Sequence, residues 1–395
     1  MKKNIKSIAG VALLAMIAST SHAAKSVNIG ELQNFVGPLE SMIGEMTGAV
    51  HLAVDETNAS GAYLHGTINV VTADSTCGDP AIAIAEAEKM LDVDNVIAIM
   101  GPNCSAITTA VINAVIAPRG VVSISPSATS PAIDALVDGG FFFRTAPPDT
   151  KQGPALSNIA MSRGQTDMAV TYVNNDYGKA LADAFVTAYE AAGGTVSVIA
   201  GHEDDKADYS ADVAALSAGG SATLAVFGYD ASGGRGIISA SEDTGAFTDY
   251  VFGDGMIGAH TASLVADGSW GTMPAASEEL QAAWNVVAEA AGLTGTAVFS
   301  GQSYDAMALI ILASQAARST DRAAIQAEVM NVANAPGRLC DAGDLANCLK
   351  WISGGLEVDY VGATGVELDA GGTANGSYAE REVIGGVFTD VKIHK

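Results

Sequence analysis

The sequence predicts an α/β fold in two lobes, each a parallel sheet flanked by helices. Three observations lead there. Short β-branched runs alternate with Ala-rich stretches along most of the chain, the pattern of strands buried on both faces and joined by helical crossovers. The alternation runs twice, with FFFRTAPPD (141 to 149) between the two runs. The chain has 395 residues, too many for one ordinary core, since domains hold roughly 100 to 200 residues.

Taken in order, the first element is a leader. Lys2, Lys3 and Lys6 precede an apolar core from Ile8 to Ala18, and Ser21-His22-Ala23 offers the small residues a signal peptidase inspects. Cleavage after Ala23 is expected, which makes residues 1–23 a signal peptide. A membrane anchor would need about 20 continuous apolar residues, more than any run here supplies. The first lobe then opens. Strand-like VNIG (27 to 30) leads into a helical stretch from Glu40 to Asn58, and TINVVTAD (67 to 74) precedes Ala81 to Leu91. VIAIM (96 to 100) precedes Ala106 to Ala117, and GVVSIS (120 to 125) precedes a short turn. In FFFRTAPPD, Pro147 and Pro148 fix their own φ and cannot donate to a ladder, so the segment suits an extended crossover better than a sheet interior.

The second run comprises DMAVTYV (167 to 173), TVSVIA (195 to 200), TLAVFG (223 to 228) and DYVFGD (249 to 254), each followed by a loop or helix. Helical stretches at Ser277 to Ala291, Tyr304 to Arg318 and Ala323 to Val332 follow with few strands among them. From Gly354 the chain turns β- and Gly-rich, as expected of a chain that crosses back late to finish a lobe.

The formal net charge is −25, and −28 once the three leader lysines are removed. Such a surface repels phosphate backbones and anionic lipid, which removes nucleic acid from the candidate partners. Charged residues make up 16% of the chain against a usual ~25%, so the acidity reflects a shortage of Lys and Arg. Four cysteines in an exported chain suggest two disulfides before metal or catalysis. Of the three pairings, proximity favours Cys77 with Cys104 and Cys340 with Cys348.

Ligands of open parallel sheets sit beyond the carboxyl ends of the strands. Two loops of the first lobe have the composition for that place: GPNCSA (101 to 106) after VIAIM, and SPSATSP (125 to 131) after GVVSI. Small residues let the backbone approach a ligand, while hydroxyls and free first-turn N–H groups suit an anion such as a carboxylate. Helix capping is the plainer role for Ser105 or Ser127 taken alone. Two such loops after neighbouring strands favour binding.

GPNCSAITTA, then SPSATSP about 20 residues on, then FFRTAPPDTKQGPA and NNDYGKALADAF resemble the type I periplasmic solute-binding proteins of ABC transporters. The closest branch is that of the leucine/isoleucine/valine receptors, and SYDAMALIILA (303 to 313) and DYVGATGVELDAGG (359 to 372) fit it too. The resemblance covers nearly the whole mature chain in order. It implies a two-lobed receptor with three crossovers that closes on a small molecule, with lobe one formed by residues 24–145 and 277–370 and lobe two by 146–276 and 371–395.

Carried over by residue, contacts to an amino-acid carboxylate fall on Ser105, Ser127 and Thr129, and the family's disulfide falls on Cys77 and Cys104. Tyr177 matches an aromatic that closes over the ligand, Tyr229 a neighbouring wall residue, and Asp254 of FGDGM the acid that receives the ammonium. Asp230, beside Tyr229, could equally cap the helix from Ala231, and Asp254 before Gly255 could be a turn aspartate. Asp254 is one methylene shorter than the family's glutamate. The loop after Gly37-Pro38, which often supplies an aromatic ring, here has Ser41 and Met42, so the side-chain pocket departs from the pattern.

The rival class is an exported hydrolase with Cys104 as nucleophile, which requires an activating base. His51, His65, His202, His260 and His394 lie in unrelated contexts, and neither GxSxG nor HExxH occurs. GYDASGGRG (228 to 236) lacks the GxGxxG spacing and a Walker lysine. The reading is a monomeric, non-enzymatic periplasmic receptor without cofactor, delivering an amino acid or similar ligand to an ABC permease. The alternatives are the same fold binding an amide, urea or a small aromatic acid, or presenting its ligand to a sensory receptor.

Overall fold

Two β-sheets, each packed between helices, organise the computed structural model, which describes residues 25–394. The leader expected over residues 1–23 lies outside the described residues. The first sheet contains β1 (Ser26–Gln33), β2 (Thr67–Asp74), β3 (Ala98–Met100), β4 (Val122–Ser125) and β5 (Phe142–Arg144), in the order β2-β1-β3-β4-β5. Every pairing in it is parallel. Its central strands β3 and β4 are buried along their whole length, the burial that continuous apolar runs such as VIAIM signal.

The second sheet takes β6 (Asp167–Val173), β7 (Thr195–His202), β8 (Thr223–Phe227), β9 (Asp249–Phe252) and β10 (Trp270–Ala275) as a parallel set. After β11 (Arg338–Asp341) and β12 (Val358–Gly362), which pair only with each other, the chain returns to this sheet. There β13 (Ser377–Ile384) and β14 (Val387–His394) add antiparallel to β10, giving the order β14-β13-β10-β9-β8-β6-β7. The fold is the α/β arrangement the sequence predicts, with an antiparallel edge on the second sheet that the run lengths did not announce.

Caps fix where the helices start. Asp79 accepts from the Ala81 N–H ahead of the helix Pro80–Asp92, whose first position is proline. Asn175 accepts from the Gly178 N–H at the head of Asp176–Ala191. The helix Ser300–Ala317 is buried from Ser300 through Gln315. A helix apolar nearly all round belongs inside, and this one packs between β3, β4 and the helix Glu40–Ser60.

The chain passes between the two layered units three times: to the second sheet after Arg144, to helices packed on the first sheet after Ala275, and back to the second sheet before Ser377. FFFRTAPPD is more structured than an extended crossover. Phe142–Arg144 forms the edge strand β5, because the prolines that would block pairing begin only at Pro147. The first and third passages lie side by side: Arg144 N–H donates to the Gly372 carbonyl and Ala374 N–H to the Arg144 carbonyl, both at 3.0 Å. The fully buried Arg144 guanidinium fastens them further, donating to the carbonyls of Ala128 and Ser130, to Thr373 Oγ1 and to Asp134.

Candidate ligand-binding cleft

The loops beyond β3 and β4 form one wall. Gly101 takes φ of +104°, and a Cβ there would collide with the Leu32 carbonyl, so the GPNC turn needs glycine. The hydroxyls that follow mostly hold the wall together. Ser123 Oγ donates to the Gly101 carbonyl at 2.6 Å, Ser125 Oγ to the Pro102 carbonyl at 2.5 Å, and Ser127 Oγ to the Asn103 carbonyl at 3.1 Å. Ser105 Oγ accepts from the Ser130 N–H at 3.1 Å, which leaves its own proton free. Neither serine is a helix cap: Cys104 holds the cap position ahead of Ser105, and Ser127 sits between strand and turn.

Cys104 is bonded to Cys77 and Cys340 to Cys348, with Cα separations of 5.7 and 5.9 Å. The nucleophile reading fails on that bond. Its candidate bases also lie elsewhere: His202 pairs with Thr171, His260 with Asp230, His394 with Glu380, His51 with Glu31 and His65 with the Ser314 carbonyl.

The opposite wall comes from the carboxyl ends of β8 and β9 and from the helix Asp176–Ala191. Tyr177 donates to Asp254 Oδ1 at 2.5 Å and accepts from the Gly255 N–H at 3.1 Å. The Tyr229 ring stacks on Tyr177 with centroids 5.3 Å apart, and its hydroxyl accepts from Asn175. Burial pushes the Asp254 carboxyl up to about 6, against the hydrogen bond from Tyr177 that favours its ionised form. The Tyr177 hydroxyl is raised by burial and by the Asp254 charge.

Between the walls is a cavity of about 20 Å³ lined by Leu39, Asn103, Cys104, Ser105, Ser127 and Phe299 on one side and Tyr177, Tyr229, Asp254 and Gly255 on the other. Five of the six sequence-chosen residues thus meet at one place. Thr129 does not line it; it is buried behind, where its carbonyl accepts from the Asp149 N–H at 2.9 Å. Asp230 caps the helix Ala259–Leu264 through the Thr261 N–H and pairs with His260, which removes it as a ligand acid and as a cap for Ala231. Ser41 and Met42 belong to the helix Glu40–Ser60, with Met42 turned into the core; the side chain facing the cavity from that segment is Leu39. Leu39 and Phe299 were missed, and Asn103 gives no signal beyond its place in GPNC.

The geometry defines a class, a two-lobed binding protein with its cleft at the strand ends. The chain belongs to the periplasmic binding protein family, whose pattern it matches over residues 26–339. It is 27% identical to the Leu/Ile/Val-binding protein homolog 3 of Brucella melitensis over 383 residues, covering 90% of this chain and all of that one. Two solved structures share the fold. One is the branched-chain amino acid transporter substrate-binding protein LivJ from Streptococcus pneumoniae in complex with isoleucine (TM-score 0.74, 20% identity, 94% of this chain and 99% of that one). The other is an ABC transporter solute-binding protein from R. palustris in complex with 4-hydroxybenzoate (TM-score 0.76, 17% identity, 94% and 97%). The family consists of binding proteins rather than enzymes, and its members are extracytoplasmic.

Proposed function

We propose that the chain is a monomeric periplasmic receptor, exported through its leader, that closes on an amino acid and presents it to an ABC permease. The observation that carries this reading is the opposition across one cavity of Ser105, with its free hydroxyl proton, and Asp254, a buried carboxyl. A zwitterion offers a carboxylate to the first and an ammonium to the second. Neither lobe alone serves both ends, so the closed state binds the ligand better than the open one, and that difference drives closure. A cavity of about 20 Å³ holds about one water, so an amino acid enters only when the lobes part and the Leu39 and Phe299 walls give way.

An aromatic acid such as 4-hydroxybenzoate carries a carboxylate and no ammonium, and would leave Asp254 without a cation. That favours the amino acid. A thermal-shift screen of the twenty L-amino acids with benzoate and 4-hydroxybenzoate tests it, followed by small-angle scattering with the best compound. An amino acid should raise the melting temperature most and shrink the radius of gyration. A protein stabilised by the benzoates alone, or one that binds without change of radius, overturns the reading or its closure mechanism respectively.

A further inference from the structure

Residues 291–299 run from the end of the helix Glu278–Ala290 to Phe299, which lines the cavity. Most of this loop is tied to helices of the first lobe. Thr294 N–H donates to Glu45 at 3.0 Å, Gln281 Nε2 donates to the Gly295 carbonyl at 3.1 Å, and Leu293 lies so close to Gly48 that a Cβ there would meet it at 2.5 Å. One bond reaches the loop from the second lobe. Arg381, on β13, donates from a guanidinium nitrogen to the Thr296 carbonyl at 3.2 Å, while its Nε pairs with Asp390 of β14 at 2.7 Å. Among the described residues no other side-chain hydrogen bond joins the lobes away from the three passages; that of Gln302 to the Pro274 carbonyl, for example, lies at the second passage. Beside Arg381 the facing surfaces are not packed. A cavity of about 240 Å³ separates Gln281 and Asn285 of the helix Glu278–Ala290 from Met273, Asp390 and Ile393 of the second sheet.

We infer that Arg381 is a positioning residue for binding: by holding the Thr296 carbonyl across the lobes it fixes Phe299 against the ligand and prolongs the closed form. The inference rests on the closing receptor proposed above. Phe299 has a φ of +59°, a left-handed conformation that a bulky residue keeps only where its surroundings impose it. Glu45 and Gln281 hold the loop from one side, and Arg381 holds it three residues before Phe299 from the other. The Arg381 side chain is 11% exposed, so its bond is largely shielded from water, and a charged donor bonds more strongly than a neutral one. Parting of the lobes carries β13 away from the loop and breaks this bond, whereas the Glu45 and Gln281 bonds travel with the loop. A contact made only in the closed form slows escape without slowing entry.

Stopped-flow mixing separates association from dissociation in the wild type, Arg381→Met, Arg381→Lys and Asp390→Ala. The probe is L-leucine, or the most stabilising L-amino acid of the screen where leucine does not bind. Arg381→Met should release the amino acid about 10-fold to 100-fold faster, the contribution of one charged hydrogen bond, with association within about threefold of wild type. Arg381→Lys should recover part of the loss, since it keeps the charge and a donor. Asp390→Ala removes the ion pair inside the second lobe and leaves the donor, so its dissociation should rise by less than about threefold. A folded Arg381→Met with wild-type dissociation overturns the inference, and so does an Asp390→Ala that releases as fast as Arg381→Met, because Arg381 would then act only within its own lobe. Should Arg381→Met not fold, amide exchange in the wild type decides: residues 294–299 should exchange more slowly with the amino acid bound, and unchanged exchange there overturns the inference. A wild type that binds no amino acid removes the basis of both proposals; one that binds and closes while Arg381→Met is neutral removes this one alone.

Discussion

The first-lobe wall and the recess at the head of the helix Asp149–Ser162 are both made of small polar side chains, and they treat those side chains in opposite ways. In the wall, Ser123, Ser125 and Ser127 each give their proton to a carbonyl of the GPN turn, so the two loops brace one another. In the recess, Thr129, Asp149 and Gln152 leave atoms unpaired. A hydroxyl that has spent its proton is scaffold, whatever its position in a motif. A buried acceptor without a partner keeps an unpaid desolvation cost of about 1 to 3 kcal/mol until something supplies a donor. Hydroxyl-rich loops therefore build the wall of a cleft, and the unsatisfied groups mark a place where the chain does not pair its own polar atoms.

The largest effect should come from Asp254→Asn, which keeps shape and removes charge opposite the ammonium. Loss of one partner of a buried charge pair costs about 2 to 5 kcal/mol, a weakening of about 30-fold to several thousand-fold for L-leucine by titration calorimetry. Wild-type affinity in a folded variant would break the contrast, since the acid-bearing wall would then be scaffold as well. A smaller effect should follow pH. The Asp254 carboxyl is raised by burial to about 6 from 3.8, and an ammonium beside it brings it back down. Below about pH 6 the free protein carries a proton that the complex must release, so affinity should fall as pH drops, approaching about tenfold per unit. In the free protein the sign is opposite for folding. The native state binds the extra proton, so stability from this group is present below pH 3.8 and is lost as pH rises through about 6. Affinity that stays flat from pH 7 to 5 would mean the ammonium lies elsewhere.

The smallest effect on affinity should come from Ser125→Ala. Ser125 Oγ donates to the Pro102 carbonyl and accepts from the Ala128 N–H at 3.0 Å, all buried. Its loss should cost about 1 to 3 kcal/mol of folding stability, read as a lower denaturation midpoint, with leucine affinity within about threefold of wild type. A large affinity loss with unchanged stability would place Ser125 among the binding groups and erase the distinction between the regions.

The strands were legible where apolar runs are continuous, as in β3, β4, β8 and β9. β10 was not, because WGTMPA contains glycine and proline, which argue against a strand. The sheet tolerates Pro274 because pairing with β9 stops at Gly271 while β13 continues along the other edge. In the cleft, GPNCSA, SPSATSP and FGDG are loops whose residues line one cavity, yet hydrogen bonds across the fold decide which hydroxyl keeps a free proton. Asp149 follows two prolines at a helix head and reads as an ordinary first-turn acid. Its lack of partners depends on Thr129, Gln152 and Asp254, residues that only the folded chain brings near it. Phe299 gave no signal, since its place at the cavity comes from the second passage between the layered units and a left-handed φ of 59°.

Arg144 has a mechanical consequence. Two chain segments laid edge to edge and fastened across their width, as Arg144 fastens its own strand to residues 372–374, behave like a ribbon, stiff in plane and compliant across it. A joint of that kind leaves one easy rotation and resists twist and slide. Under the closure proposed above, the separation of Ser105 from Asp254 would follow a single angle, and a permease that reads the closed form would read that angle rather than the identity of the molecule inside.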